Sequence, residues 1–290
     1  MAPDGYVFWA RDYAAIEARL VGLFARRPDF IRLASLGVHG FLGRRILGWD
    51  VDLSWSDVDL KAAFKELKKK DPVMYDTAKR VVYLSLYMGT PRKMHYEYPK
   101  DFPTIARASY LQDMFFDTCP GIRDWHKDIC LRVDGTKRRV GHDTIDDSSD
   151  HIDPWTFGVA HAKNPFGYVH RFYNVLDWTK VGTEWVWSFG EDAKRLVSFL
   201  PQSTAAGVIK RAAKRMWYDF PDIGETLRLL IHDETFGECR KEQVDLCLEI
   251  SQLIMEEPIP ELPLDPSWGM GEFMKMGSEA KVGASWGSMN

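Results

Sequence analysis

Cysteine is scarce in this chain: four residues in 290, Cys119, Cys130, Cys239 and Cys247, with no close CxxC pairing. That spacing suggests neither a zinc site nor a disulfide framework, and reduced, buried thiols are the expectation. Long apolar runs are also missing. No stretch approaches the roughly 20 residues that cross a bilayer, and the N-terminus lacks a charged segment followed by an apolar signal region. A soluble protein of the cytoplasm, including that of an infected host, is expected, with no membrane partner. Internal repeats are absent, so a repeat architecture is not indicated. An excess of positive charge is absent too, with 38 Lys and Arg against 42 Asp and Glu for a net charge of −4.

What the chain does have is apolar content, 45% of residues, enough to bury a substantial core in one large or two intimate domains. Its positive charge is concentrated rather than lacking. Residues 61–100 carry ten Lys and Arg against four acids, a local net of +6. Such a segment suits phosphate binding, although Lys68-Lys69-Lys70 also reads as a solvated helix end.

Periodicity predicts a strand from Tyr6 to Ala10, then helical spacing from Asp12 to Phe24 through Ile16, Leu20, Leu23 and Phe24. A helix over 56–70, capped by Ser56 or Asp57, should stop before Asp71-Pro72, because proline disfavours helix in the preceding residue. The next helix runs from Pro72 to about Met88 and places Tyr75, Lys79, Tyr83 and Tyr87 at successive i,i+4 positions. Residues 104–133 read as helical with a break near Cys119-Pro120-Gly121. The acid-rich stretch 139–161 reads as a solvated insertion. A short strand at 184–189 precedes expected helices at 191–199 and 203–219, the second with Lys210, Arg211, Lys214 and Arg215 on one basic face. A hairpin of 227–231 with 235–238 follows, then a helix at 241–255 and a tail rich in Pro, Gly and Met.

Two carboxylates stand out in this plan. Asp12 and, 221 residues later, Asp233 each lie at or just beyond the end of a short apolar strand, where an acid can emerge from a packed sheet into a cleft. A pair so placed could share two magnesium ions for phosphoryl transfer. Magnesium is satisfied by few protein carboxylates when phosphate oxygens complete its shell.

Five blocks, in order, carry a resemblance. They are Asp12-Tyr13-Ala14-Ala15-Ile16-Glu17-Ala18-Arg19, Ala78-Lys79-Arg80-Val81-Val82-Tyr83-Leu84-Ser85-Leu86-Tyr87, and Phe115-Phe116-Asp117-Thr118-Cys119-Pro120-Gly121-Ile122-Arg123-Asp124-Trp125. The last two are Gln202-Ser203-Thr204-Ala205-Ala206-Gly207 and Ile231-His232-Asp233-Glu234-Thr235. Together they resemble the palm and fingers of family A DNA polymerases, the DNA polymerase I type. The resemblance implies an α+β fold of right-hand polymerase type, with an antiparallel palm sheet and helical fingers. It divides the chain into palm at 1–49, fingers at 50–165 and palm again at 166–290. The implied activity is template-directed DNA synthesis from dNTPs on a primer-template.

The same resemblance assigns roles. Asp12, Tyr13 and Asp233 would ligate two Mg2+ ions, and Glu234 would ligate or support. Lys79 would hold the incoming triphosphate, helped by His39 and Arg80. Tyr83 would stack on the incoming base or sugar, and Glu17 would block a 2′-hydroxyl. Tyr87 would lie near the templating base, while Gln202 and His232 would approach the minor groove of the primer end. Arg171 loosely matches a basic family segment, and Lys210 and Lys214 would add DNA contacts. Each has a plainer alternative: a helix cap or core position for His39, a surface acid for Glu17, ordinary core aromatics for Tyr83 and Tyr87.

The departures are specific. Tyr75 stands where the family has Arg, Leu84 where it has Gly, and Gly207 where it has an acid. The family also places its thumb and any exonuclease domain upstream of the first motif, so a second polypeptide carrying the missing parts is expected, with the first strand left open for it. A non-catalytic DNA- or protein-binding scaffold and a single-subunit RNA polymerase relative are the competing readings.

Overall fold

A computed structural model of the protein describes residues 1–132 and 160–289. The expected insertion at 139–161 lies outside the described residues, except for its last two positions, which open a strand. In chain order the strands are β1 (Tyr6–Tyr13), β2 (Ala160–Lys163), β3 (Val169–Phe172), β4 (Leu176–Val181), β5 (Glu184–Phe189), β6 (Leu227–Ile231), β7 (Glu234–Arg240), β8 (Ile259–Pro263), β9 (Phe273–Met274) and β10 (Ser278–Gly283). The helices are α1 (Ile16–Phe24), α2 (Pro28–Leu36), α3 (Val38–Ile46), α4 (Asp57–Lys70), α5 (Pro72–Leu86), α6 (Pro91–Glu97), α7 (Ile105–Thr118), α8 (Gly121–Arg132), α9 (Ala193–Asp219), α10 (Pro221–Gly224) and α11 (Val244–Met255). The chain packs as two compact units, Met1–Leu20 with Gln202–Asn290, and Val21–Pro201. The class is α+β.

The first unit is organised by an antiparallel sheet in the order β10-β1-β7-β6. β1 is interior, paired with β10 on one side and β7 on the other. The expectation that it would be left open for a partner chain is therefore corrected: the tail, folded back as β10, supplies the neighbour and satisfies its backbone groups.

Strand alternation sends Trp9, Arg11 and Tyr13 to one face of β1, where all three are buried. Trp9 lies directly across from Gly237 and donates through Nε1 to Thr226 Oγ1 at 3.2 Å. A Cβ at Gly237 would sit 2.4 Å from the indole. Gly237→Ala should therefore lower stability by about 1–3 kcal/mol through overpacking; an unchanged melting temperature would show that the indole can shift without cost.

Arg11 is a buried guanidinium with each of its three nitrogens donating. Nε donates to Ser251 Oγ at 2.9 Å, Nη1 to Ser278 Oγ at 3.0 Å and Nη2 to the Leu248 carbonyl at 2.8 Å, tying β1 to α11 and β10. Burial lowers its pKa, and the Glu256 carboxylate partly offsets this.

β1 also runs further than the periodicity suggests, to Tyr13, and α1 begins only at Ile16. The intervening turn places Ala15 at φ 51°, a left-handed conformation that nothing in its side chain announces. Likewise 193–219 is one helix rather than two, with Pro201 inside it. A proline there costs a helical hydrogen bond, and the buried Leu196, Val197, Ala205 and Val208 on either side provide the packing that keeps the helix continuous.

The second unit is mainly helical. Gly40 in α3 lets α4 approach so closely that a Cβ would lie 2.5 Å from the Phe64 carbonyl oxygen. Ser56 Oγ caps α4 by accepting from Asp59 N at 3.2 Å, and α4 ends at Lys70 ahead of Pro72 as expected. Asp71 then caps α5, its carboxylate accepting from Met74 N at 2.9 Å. The far end of α5 is fixed by α7 and α8. Gln112 donates to the Gly89 carbonyl at 2.7 Å, and the His126 Nε2 lies 2.9 Å from the Leu86 carbonyl.

Candidate active site

In the first unit the sheet register brings acids together. Asp12 on β1 lies across from Glu234 on β7 and Glu279 on β10, so three carboxyl positions share one rung and one face. Asp233 occupies the tight turn between β6 and β7, and its backbone carbonyl accepts from Tyr13 N at 3.2 Å. That turn is closed by His232 at φ 54°, a left-handed residue without the glycine such turns prefer.

The Asp12 and Asp233 side chains share a hydrogen bond, and the remaining Asp12 oxygen, Oδ1, is buried with no partner. Burial first, then the charges of Asp233 and Glu234, push the Asp12 carboxyl up to about 7, against a smaller opposing effect of Lys281. Lys281 Nζ lies 3.5 Å from Glu234 Oε2, a loose ion pair. Among the described residues no group of three or more His, Cys, Asp or Glu side chains is disposed to hold a metal alone. A close carboxylate pair with an unpartnered buried oxygen nonetheless fits a hard cation that takes the rest of its oxygens from water or phosphate. The Tyr13 side chain is buried, which raises its phenol pKa, so only its backbone could contribute to such a site.

In the second unit α5 buries Thr77, Ala78, Val81, Val82, Ser85 and Leu86, which turns Lys79 outward and leaves Tyr75, Tyr83 and Tyr87 half-buried. A cavity of about 530 Å³ runs along this helix and is lined by Lys79, Arg80, Tyr83, Tyr87, Lys93 and Lys194 among others. Cations and phenol rings dominate it. Arg80 is held within it by an ion pair to Asp101 and lies 4.9 Å from the Tyr98 ring centre.

His39, from α3, is buried against α5, with its ring 5.8 Å from Tyr75 and 5.3 Å from Tyr83. Burial and then the Lys79 charge press its pKa down to about 3, so the imidazole is neutral at pH 7, and its Nε2 has no partner.

The sequence-predicted residues thus fall into groups. Asp12, Asp233 and Glu234 come together in the first unit, and His39, Lys79, Arg80, Tyr83 and Tyr87 in the second. Glu17 is half-buried on the first turn of α1, Gln202 is exposed on α9, His232 is exposed at the hairpin turn, and Arg171 is exposed on β3. The expected basic face of α9 is reduced. Arg211 and Arg215 both pair with Glu257 at 2.6 Å, while Lys210 and Lys214 are exposed to solvent. Lys281 went unnoticed in the sequence. The alternation Ser278-Glu279-Ala280-Lys281 was its only signal, within a tail whose Pro and Gly content masks strand character.

No family model matches the chain. DNA polymerase I, thermostable, of Thermus thermophilus is 22% identical over 94% of this chain, and DNA polymerase I of Deinococcus radiodurans is 25% identical over 93%. The chain is a homologue of family A DNA polymerase I. It spans about a quarter of the length of these DNA polymerase I relatives, 27% and 24%. Among solved structures, the POL domain of Pol1 from M. smegmatis, in complex with DNA primer-template and dNTP, matches with a TM-score of 0.60 at 19% identity. That match covers 99% of this chain and 41% of that one. It shows that the fold is that of a DNA polymerase I POL domain.

Proposed function

We propose that the chain is the palm and fingers of a DNA-directed DNA polymerase, adding deoxynucleotides to a primer under template direction. The observation that carries this is the half-buried Asp12–Asp233 pair with one buried carboxylate oxygen unpartnered, in a homologue of DNA polymerase I. Such a pair is a site in want of cations, and Asp12, Asp233 and the Tyr13 carbonyl would hold two Mg2+, with Glu234 in support. Bound there, the metals would lower the pKa of the attacking hydroxyl and neutralise charge on the transferred phosphate.

The chain's own residues do the rest. Lys79, an exposed ammonium on a flexible stem, holds triphosphate charge. His39, as a neutral ring, offers a hydrogen bond without adding charge. Tyr83 and Tyr87 present ring faces on which bases can stack. Lys210 and Lys214 contact the DNA backbone, where cations set non-specific affinity, and Gln202 and His232 reach acceptors common to all base pairs. Arg171 is a further phosphate contact.

Primer extension by the purified protein with dNTPs and Mg2+ tests the proposal, and its absence would leave the scaffold reading standing. Glu17 decides between sugars by exclusion. Glu17→Ala should raise ribonucleotide use relative to deoxynucleotide by about tenfold or more in kcat/KM ratio, in line with the roughly 10–200-fold that small steric differences command. An unchanged ratio would remove Glu17 from this role, and an initial preference for rNTPs would favour the RNA polymerase alternative.

A further inference from the structure

Besides Lys79, a second lysine lies near the aromatic cluster around His39. On α4, packed beside α5, Lys68 Nζ lies 5.8 Å from the centre of the Tyr75 ring. Tyr75 in turn makes an edge contact with His39, whose ring tilts against Tyr83 about two helical turns further along α5. Lys79 acts on the same imidazole from one turn beyond Tyr75. The row therefore runs Lys68, Tyr75, His39, Tyr83, with an ammonium at its start and another, Lys79, alongside its middle.

We infer that Lys68, steadied on the Tyr75 ring, is a second phosphate-binding cation that acts with Lys79 and His39 on the polyphosphate of a nucleoside triphosphate. This rests on the polymerase reading above and adds a residue to it. Three observations support it. The His39 Nε2 is buried and unpartnered, and as an N–H it would gain in a phosphate oxygen the acceptor it lacks. Arg80, the alternative cation on α5, is held by Asp101, which also accepts from Thr77 Oγ1 at 2.8 Å. Lys70, two residues from Lys68, is paired with Glu66 at 2.6 Å. Helix-dipole complementarity at the end of α4 applies equally to Lys68, Lys69 and Lys70, but it does not explain why one of them lies on a ring that abuts His39. Tyr75 acts here as the platform for an exposed cation.

The test is binding of a dNTP, and separately of inorganic tripolyphosphate, to the protein on a chain-terminated primer-template, followed by fluorescence titration. Lys68→Ala should weaken both ligands by about tenfold, as loss of one charge-assisted contact implies, while Lys68→Arg restores most of the affinity. Lys69→Ala, a neighbouring charge off the ring, should change it less than about twofold, and the melting temperature should be unaltered in all three. Equal losses for Lys68→Ala and Lys69→Ala would reduce the effect to general electrostatics and overturn the inference. So would a Lys68→Ala affinity within twofold of the parent while Lys79→Ala is strongly impaired, which leaves the polymerase reading intact. If Lys79→Ala is also without effect, that reading fails as well.

Discussion

Asp12→Ala and Asp233→Ala should each reduce Mg2+-dependent primer extension by about 10³-fold or more, on the order of 4 kcal/mol of barrier, without unfolding the protein. The two side chains touch, and one has a buried oxygen that no protein group satisfies. Removing either therefore takes away half of the hydrogen-bonded carboxyl pair at the end of β1. Stability should not suffer, because an Asp12 carboxyl pushed towards protonation by burial and by neighbouring acids is a cost to the fold rather than a support. Extension within tenfold of the parent in both variants would end the assignment, and circular dichroism would confirm that the comparison is between folded proteins.

The same pair should make stability depend on pH and on divalent ions together. The Asp12 carboxyl is raised in the folded protein from its ordinary 3.8 to about 7, chiefly by burial and then by Asp233 and Glu234. Between about pH 4 and pH 7 the folded chain therefore binds more protons than the unfolded chain, and stability falls as pH rises through that window. The full shift would correspond to about 4 kcal/mol. Because the group is half-buried, solvent screening leaves ~2 kcal/mol. Mg2+ favours the ionised pair and should return that stability above pH 7, where the penalty is complete. In EDTA the melting temperature at pH 8 should lie several degrees below that at pH 5, by roughly the 2–4 °C per kcal/mol typical of chains this size, and millimolar Mg2+ should recover it at pH 8 but not at pH 5. Asp12→Asn should flatten both dependences. If Asp12→Asn keeps the parent's slope, another group is responsible.

How legible all this was in the sequence depends on the range of the interactions involved. α4 and α5 could be read to within two residues, because Ser56, Asp71 and Pro72 act on their own neighbours. The β6–β7 hairpin was equally local. α1 and α9 were misjudged where a residue took an unannounced conformation, Ala15 at φ 51° and Pro201 inside a helix. In each case surrounding structure outweighed the residue's own preference. Arg211 and Arg215 have the spacing of a basic helix face, yet their charge is answered by Glu257, over forty residues away, a pairing that periodicity does not carry.

The sequence by itself determined the local chemistry. It placed an acid at each of two strand ends, lysine and tyrosine at helical spacing along α5, and the ordered blocks that mark a homologue of DNA polymerase I. Those are properties of residue type and spacing, which the chain carries whether folded or not. Only the tertiary structure decided that Asp12 and Asp233 touch, that Glu279 and Lys281 arrive beside them on a strand from the tail, and that Lys68 lies over Tyr75. Each of these is a contact between segments distant in sequence or on separate helices. Such contacts are fixed by sheet register and helix packing, through the burial of Trp9 against Gly237 and the close approach at Gly40, and no local pattern encodes them.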